Sequence, residues 1–273
     1  MPNDVTQRNK VRPANPWWQR WQRRWRAWRG AGDLKTHRVE LIDHEGERFK
    51  RVGFTSPDAA ADCARLLDQV AILDRFPRLR SIKANDVEVD YIDGPLARQG
   101  HDDADLLGFF VDLYVGPGAC RVSQADSGLL PALEADLRFL VEQRLVDSAR
   151  RDALWQAAQQ CAPDSLWLGI DYIDPVLKNF VRRADGRVIA IDIEALLDRQ
   201  ALGSGLAKAR LRWLRGDSDC VLRQVAAKGG PVLSEQYRLV EVAFLAAYFR
   251  QKVIQKKSRH LRLKAFQRWL DEA

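Results

Sequence analysis

The sequence is poor in the residues that most often announce a metal centre or a disulfide framework. Its four histidines (His37, His44, His101 and His260) show no metal-ligand spacing. Its four cysteines (Cys63, Cys120, Cys161 and Cys220) lie far apart and form no C-x-x-C pair, so reduced thiols in a cytosolic compartment are the simplest account. No apolar run reaches the length of a transmembrane helix and no signal peptide is visible, which makes the cytoplasm the expected location. Internal repeats are absent. What is present, 46% hydrophobic and 30% charged residues over 273 positions, describes a globular chain able to build one large domain or two lobes.

Positive charge is concentrated at one end. The formal net charge is +7, yet residues 1–30 hold eight Lys or Arg against Asp4 alone, and the rest of the chain balances at 36 basic and 36 acidic residues. Five of the nine tryptophans fall between Trp17 and Trp28. After Pro16, which suits the entry to a helix, Trp17, Trp18, Trp21, Trp25 and Trp28 recur at helical spacing, with arginines on the flanks and back. Such a Trp17–Arg29 helix fits the headgroup region of an anionic membrane and would place the protein peripherally on its inner face. It fits equally well packed on the folded body; nucleic-acid binding ranks behind both. The residues before it, broken by Pro2 and Pro13, are expected to be disordered.

The chain is organised around Gly169 to Leu197, GIDYIDPVLKNFVRRADGRVIAIDIEALL. Asp174 is followed by Asn179 five residues later and by Asp192 after thirteen more. Between Asn179 and Asp192, two short apolar strands flank an Asp185-Gly186 turn. Closing that hairpin would bring Asn179 and Asp192 to the same end, with Asp174 beside them. Asp and Asn are also ordinary turn formers, and Asp185-Gly186 is read as nothing more.

Tyr172-Ile173-Asp174, Asn179 and Ile191-Asp192-Ile193-Glu194 resemble the catalytic loop and metal motif of the protein-kinase-like superfamily. The aminoglycoside-phosphotransferase and lipopolysaccharide-sugar-kinase branches are closer than true protein kinases. The resemblance implies a two-lobed α+β fold, with a small antiparallel-sheet N-lobe carrying one helix and a mostly helical C-lobe. It divides the chain into an arm (1–29), an N-lobe (30–95) and a C-lobe (96–273). It implies ATP and Mg²⁺, with Asp174 as catalytic base and Asn179 and Asp192 on the metal. Gly30 and Gly32 would cover the phosphates, although a plain turn explains them as well. Lys50, on the third expected strand, would hold the α- and β-phosphates. The helix Ser56–Leu73 contains no Glu to pair with Lys50, and Asp62 is the substitute its spacing suggests.

Two departures stand out. Tyr172 replaces the usual His, where it can brace the loop by packing and through its hydroxyl, and Ile193-Glu194 replaces Phe-Gly, which removes a Phe-driven activation switch. The implied function is transfer of phosphate from ATP to a hydroxyl of a lipopolysaccharide-core sugar, a related glycolipid or another small molecule. The alternatives are a pseudokinase that keeps the fold as a scaffold, and a membrane-surface binding protein driven by the arm. The remaining pattern predicts strands at 37–43, 47–54, 79–82 and 87–91, a hinge at 90–96, and helices at 103–115, 130–146, 149–160, 203–215 and 218–227. From Ser234 onward it predicts one long or broken helix, with a solvated cationic segment near its end.

Overall fold

A computed structural model describes residues 38–214, 218–255 and 269–271. Four short segments build the first sheet: β1 (Val39–His44), β2 (Glu47–Gly53), β3 (Leu79–Lys83) and β4 (Asp86–Asp90), antiparallel in the order β1-β2-β4-β3. Side chains alternate between faces along each strand. The register aligns Leu41, Lys50, Val89 and Leu79 in one row, and therefore on one face. Val52 and Val87 are fully buried on that face, while Arg51 pairs with Glu88 on the other. Lys50 thus lies on β2, the second strand of the described residues.

Helix α1 (Pro57–Val70) lies between the two hairpins. Ser56 caps it by accepting from the Ala59 N–H at 3.2 Å, and Pro57 occupies its first turn. Cys63, Leu66, Leu67 and Val70 follow the helical period and are buried. Each large aliphatic among them contributes about 1.5–3 kcal/mol through burial. The chain leaves the sheet through residues 91–96. Gly94 is required there: its φ is +149°, and a Cβ would strike the Arg182 carbonyl. Leu96 then bridges Val181, and the Ala97 N–H donates to the Phe180 carbonyl at 2.9 Å, so this hinge is stitched to the strand that follows Asn179.

Beyond the hinge come helices α2 (Asp103–Val115), α3 (Gln124–Ser127), α4 (Leu129–Glu142), α5 (Ser148–Gln160), α6 (Ser204–Arg212), α7 (Ser218–Ala227) and α8 (Ser234–Ile254). They surround a three-stranded sheet of β5 (Cys120–Ser123), β6 (Ser165–Tyr172) and β9 (Leu196–Ala201), with β6 in the middle, and the hairpin β7 (Phe180–Arg182)–β8 (Val188–Ala190). This is the implied α+β fold, a small antiparallel sheet with one helix followed by a mostly helical half. Strands β5, β6 and β9 lie outside the expected elements, and α4 and α6 end earlier than expected. Helix α8 stops at Ile254, and Trp269 returns to pack its ring 5.2 Å from that of Phe249.

The two halves share a core. Phe76, Phe109, Tyr172 and Phe180 meet with ring centroids between 5.1 and 5.9 Å apart, mostly edge to face. Such pairs add about 0.5–1.5 kcal/mol each beyond their burial. Beside them the buried Arg75 donates to Asp105 at 2.6 Å and Asp112 at 3.0 Å on α2. Asp74 accepts from Arg183 at 2.8 Å and Arg187 at 3.1 Å in the β7–β8 turn. The segment after α1 is therefore fixed to the C-terminal half by packing and by charge-assisted bonds. The Trp17–Arg29 segment, Gly30, Gly32 and the cationic residues 256–264 lie outside the described residues. Among the described residues no helix is long and apolar enough to cross a membrane.

Candidate functional site

Strand β6 delivers the chain to Tyr172, and a tight loop follows. The Asp174 carbonyl accepts from the Val176 N–H at 2.8 Å and from the Asn179 side-chain amide at 2.9 Å, so Asn179 folds the loop back on itself. A single 3-10 turn (Leu177–Asn179) leads into β7. The hairpin then returns in the register Phe180↔Ala190, Val181↔Ile189, Arg182↔Val188, with Gly186 at positive φ in the turn. Just past β8 the Ile191 N–H donates to the Asn179 carbonyl at 2.8 Å, and the Asn179 amide reaches Asp192 Oδ2 at 3.2 Å. Asp174, Asn179 and Asp192 thus stand around one point. The Asn179 nitrogen is used for the loop and for Asp192, so its side-chain oxygen is the atom that could serve as a ligand to a cation.

Lys50 reaches into this group from the first sheet, and its ammonium donates to the Ile191 carbonyl at 2.9 Å, one residue from Asp192. Burial pushes the Asp192 carboxyl up from its ordinary value; Lys50 pulls it back and Asp174 pushes it further. Among the described residues, no three His, Cys, Asp or Glu side chains gather closely enough to hold a metal alone. The two oxygen donors, Asn179 and Asp192, suit a hard cation that takes its remaining ligands from water and phosphate.

Asp62 does not meet Lys50. It pairs with Arg65 on its own helix at 3.7 Å, and the α1 side chain that reaches the segment after Asp192 is Cys63, whose thiol lies 3.8 Å from the Ile193 carbonyl. The physical reason is reach and direction: Asp is one methylene shorter than Glu, and position 62 stands at the margin of the buried face of α1. Tyr172 does half of what its sequence position suggested. Its ring fills the shared aromatic core, but its buried hydroxyl, turned toward the Asn179 side chain and the Asp192 backbone, closes no hydrogen bond. Burial and the nearby Asp192 and Asp174 carboxylates push its phenol well up, so it stays protonated.

Three further residues shape the loop and were not singled out from the sequence. Asp171, fully buried, accepts at Oδ1 from the Tyr114 hydroxyl (3.1 Å) and the Tyr172 N–H (2.8 Å), and at Oδ2 from the Gly203 (3.2 Å) and Gly205 (3.0 Å) N–H groups. It pins the N-terminus of α6 to β6, a favourable place for a carboxylate. The contact needs glycine at 205, because a Cβ there would come within 2.6 Å of the Asp171 carboxylate and strike the Tyr172 carbonyl. Four residues into α6, the Lys208 ammonium lies 2.5 Å from Asp174 Oδ1. Just beyond the end of α6, the Trp213 indole donates to the Pro175 carbonyl at 2.6 Å. Helix α6 therefore splints the loop along its length. The basic character of this helix was visible in the sequence; nothing in the spacing marked Lys208 or Trp213.

No protein-family model matches the chain, and no curated protein matches it by sequence. Solved structures do match. The choline kinase LicA from Streptococcus pneumoniae superposes with a TM-score of 0.58 at 13% identity, covering 89% of this chain and 92% of that one. The macrolide 2'-phosphotransferase MphH from Brachybacterium faecium gives 0.57 at 14%, covering 86% and 88%. LicA in complex with AMP gives 0.52 at 13%, covering 87% and 88%. At these identities the likeness is one of fold, and the chain has the fold of the protein-kinase-like superfamily.

Proposed function

We propose that the chain is a phosphotransferase that moves the γ-phosphoryl group of ATP to a hydroxyl. The observation that supports this most directly is the convergence of Asp174, Asn179, Asp192 and Lys50 between the two halves of the fold, with the hinge backbone alongside. In this reading Lys50 leaves the Ile191 carbonyl for the α- and β-phosphates. Asn179 and Asp192 would hold Mg²⁺, which would supply neutralisation of phosphate charge and alignment of the transferring group. Lys208 holds Asp174 Oδ1, so Oδ2 is the atom free to face the acceptor hydroxyl. The acceptor oxygen forms its bond to the γ-phosphorus as the β–γ bridging bond breaks; its proton passes to Asp174, and ADP leaves. The loop's part is mostly positioning, which can account for several kcal/mol of the barrier when the geometry is held rigidly.

For the acceptor, a sugar hydroxyl of a lipopolysaccharide core is the reading that also gives work to the Trp17–Arg29 segment, as a means of holding the enzyme at a lipid surface. Other small-molecule hydroxyls come next, in keeping with a fold shared with a choline kinase and a macrolide 2'-phosphotransferase. A pseudokinase is favoured by one observation, that among the described residues no carboxylate of α1 pairs with Lys50.

A thermal melt with and without Mg²⁺-ATP, on the wild type and Asp192→Ala, separates the readings. Ligand at about a hundredfold over its Kd stabilises a fold by roughly 2.7 kcal/mol, a shift of several degrees in a chain of this size. A metal-dependent shift in the wild type, lost in the variant, is the expected result. No shift at saturating nucleotide would overturn the ATP-dependent reading.

A further inference from the structure

The stretch DPVLKN, from Asp174 to Asn179, carries a lysine with no part yet in the site. The 3-10 turn Leu177–Asn179 sends three consecutive side chains in three directions, because such a turn advances about 120° per residue. Leu177 packs against the core shared by the two halves, and Asn179 turns inward to the Asp174 carbonyl and to Asp192. Lys178, between them, is the exposed one. It makes no hydrogen bond and no ion pair among the described residues.

Every other described lysine has a partner. Lys50 donates to the Ile191 carbonyl, and Lys208 lies against Asp174. Lys83 and Lys228, as exposed as Lys178, close on Glu88 at 3.3 Å and on Asp112 at 3.8 Å. Lys252 lies over the Tyr248 ring. Lys178 nevertheless belongs to the electrostatics of the loop. Three ammonium groups favour the charged form of Asp192: Lys50 most, then Lys178, then Lys208. Of these three, Lys178 alone is uncommitted, and it projects from the turn that joins Asp174 to Asn179.

The chemistry of transfer says what such a group would meet. On one side of Lys178 in the chain stands the proposed base, and on the other a proposed metal ligand. In the phosphotransferase reading the γ-phosphoryl group passes between those two. Magnesium cancels only about half the charge of a triphosphate, and the Asp192 carboxylate beneath it adds negative charge back. Lys208 is committed to Asp174, so Lys50 by itself would have to answer the remainder. A lysine suits a group in transit, for it offers three donors and a compact charge on a flexible stem.

We propose that Lys178 binds the γ-phosphoryl group, its ammonium donating to a non-bridging oxygen before and during transfer. This rests on the phosphotransferase reading and adds a residue to it. Lys178 keeps its proton throughout. The acceptor oxygen bonds to the γ-phosphorus as the bridging bond to the β-phosphate breaks, and the acceptor's proton passes to Asp174. The ammonium meets the charge on the oxygens that travel with phosphorus.

Titration calorimetry on the full chain in Mg²⁺ tests this with two probes that differ by one phosphoryl group, ADP and the non-hydrolysable β,γ-imido analogue of ATP. The proteins are the wild type, Lys178→Gln and Lys178→Arg. Lys178→Gln should weaken the analogue by about tenfold, the loss expected for one charge-assisted bond, and leave ADP within about twofold. Lys178→Arg should recover most of the analogue's affinity, because it restores the charge. The side chain is exposed, so the unliganded variants should melt with the wild type. A glutamine variant that binds both probes as the wild type does overturns the proposal and leaves Lys178 a solvated surface residue. Equal loss of both probes also overturns it, because the ammonium would then act on the α- and β-phosphates or on the whole site. Either result, with the wild type binding both probes, leaves the phosphotransferase reading standing. A wild type that binds neither probe removes that reading and the proposal together.

Discussion

The loop from Asp174 to Asp192 is gripped unequally on its two sides. The hairpin within it is tied to the N-terminal half by Asp74 and the Arg75 carbonyl, but at the Asp192 end, toward the first sheet, it is held by one Lys50 hydrogen bond to the Ile191 carbonyl and by the long contact from the Cys63 thiol to the Ile193 carbonyl. Toward α6 it is fixed by the buried Asp171 cradle, the Lys208–Asp174 ion pair and the Trp213–Pro175 hydrogen bond. Gln99, just past the hinge, adds a hydrogen bond to the Trp213 carbonyl at 2.7 Å, extending that splint back to the start of the C-terminal half. The difference teaches which half of the chemistry is built in advance. If the proposed roles hold, the base is held rigidly in advance, as preorganised electrostatics requires, whereas Lys50 would still have to exchange the Ile191 carbonyl for a phosphate.

The largest effect should come from breaking the rigid side at its reacting atom. If Asp174 is the base, as proposed, Asp174→Asn keeps the shape and removes it, and loss of a general base costs about 10²–10⁴ in rate. Hydrolysis of Mg²⁺-ATP in the absence of an acceptor should fall by that range, with the nucleotide-induced melting shift retained. Unchanged hydrolysis would mean that Asp174 is not the base.

The Asp171 cradle gives the next largest effect, and it is a pH effect. Complete burial pushes this carboxyl up to about 6, against the pull of its four hydrogen bonds. In the unfolded chain the same group titrates near 4. Between these values the folded protein binds a proton that the unfolded chain has released, so Asp171 makes stability decline as pH rises from about 4 to 6. The decline amounts to roughly 3 kcal/mol. Urea unfolding at successive pH values should show a more negative slope in the wild type than in Asp171→Asn; what remains combines Asp192, which burial shifts in the same direction, with Asp74, Glu88, Asp102 and Asp185, whose lowered carboxyls act in the opposite sense. Identical slopes in the two proteins would remove Asp171 from the account. A smaller loss should follow Trp213→Phe, which keeps the ring packing and strands the Pro175 carbonyl. Stability should drop by about 1–3 kcal/mol, and kcat should fall more than the KM for ATP rises. A change in KM alone would show that the splint serves nucleotide binding.

What could be read from the sequence follows from how local each determinant is. Helix α2 was expected and found at Asp103–Val115 because Gly116-Pro117-Gly118 closes it within its own neighbourhood. The Asn179–Asp192 approach was legible for the same reason, since a hairpin with an Asp-Gly turn fixes its own ends. Strand β6 was not, because SLWLGIDY is buried along most of its length and shows no alternation to tell strand from helix. The α6 splint was hidden by distance: Asp171 and Gly203 are 32 residues apart, and Trp213 and Pro175 are 38 apart. No spacing rule announces such pairs. Tyr172 shows the limit of a motif position, for its packing was foreseeable and the absence of a partner for its hydroxyl was not.

The loosely held side predicts small numbers, and that is what makes it a sharp test. Asp62 lies in a partly exposed pair with Arg65, an i,i+3 contact worth a few tenths of a kcal/mol. If Lys50 works without help from α1, Asp62→Ala should leave the affinity for Mg²⁺-ATP within about twofold. Lys50→Ala should weaken the same affinity by tenfold or more, because it removes a charge-assisted bond. Isothermal titration of both variants distinguishes two kinds of phosphate site. Equal losses would mean that α1 turns when nucleotide binds and carries Asp62 to Lys50, so that the weakly gripped side is a closing element. A loss confined to Lys50→Ala would leave the lysine anchored by the metal loop alone, with α1 contributing the Cys63 contact and its buried face and no charge.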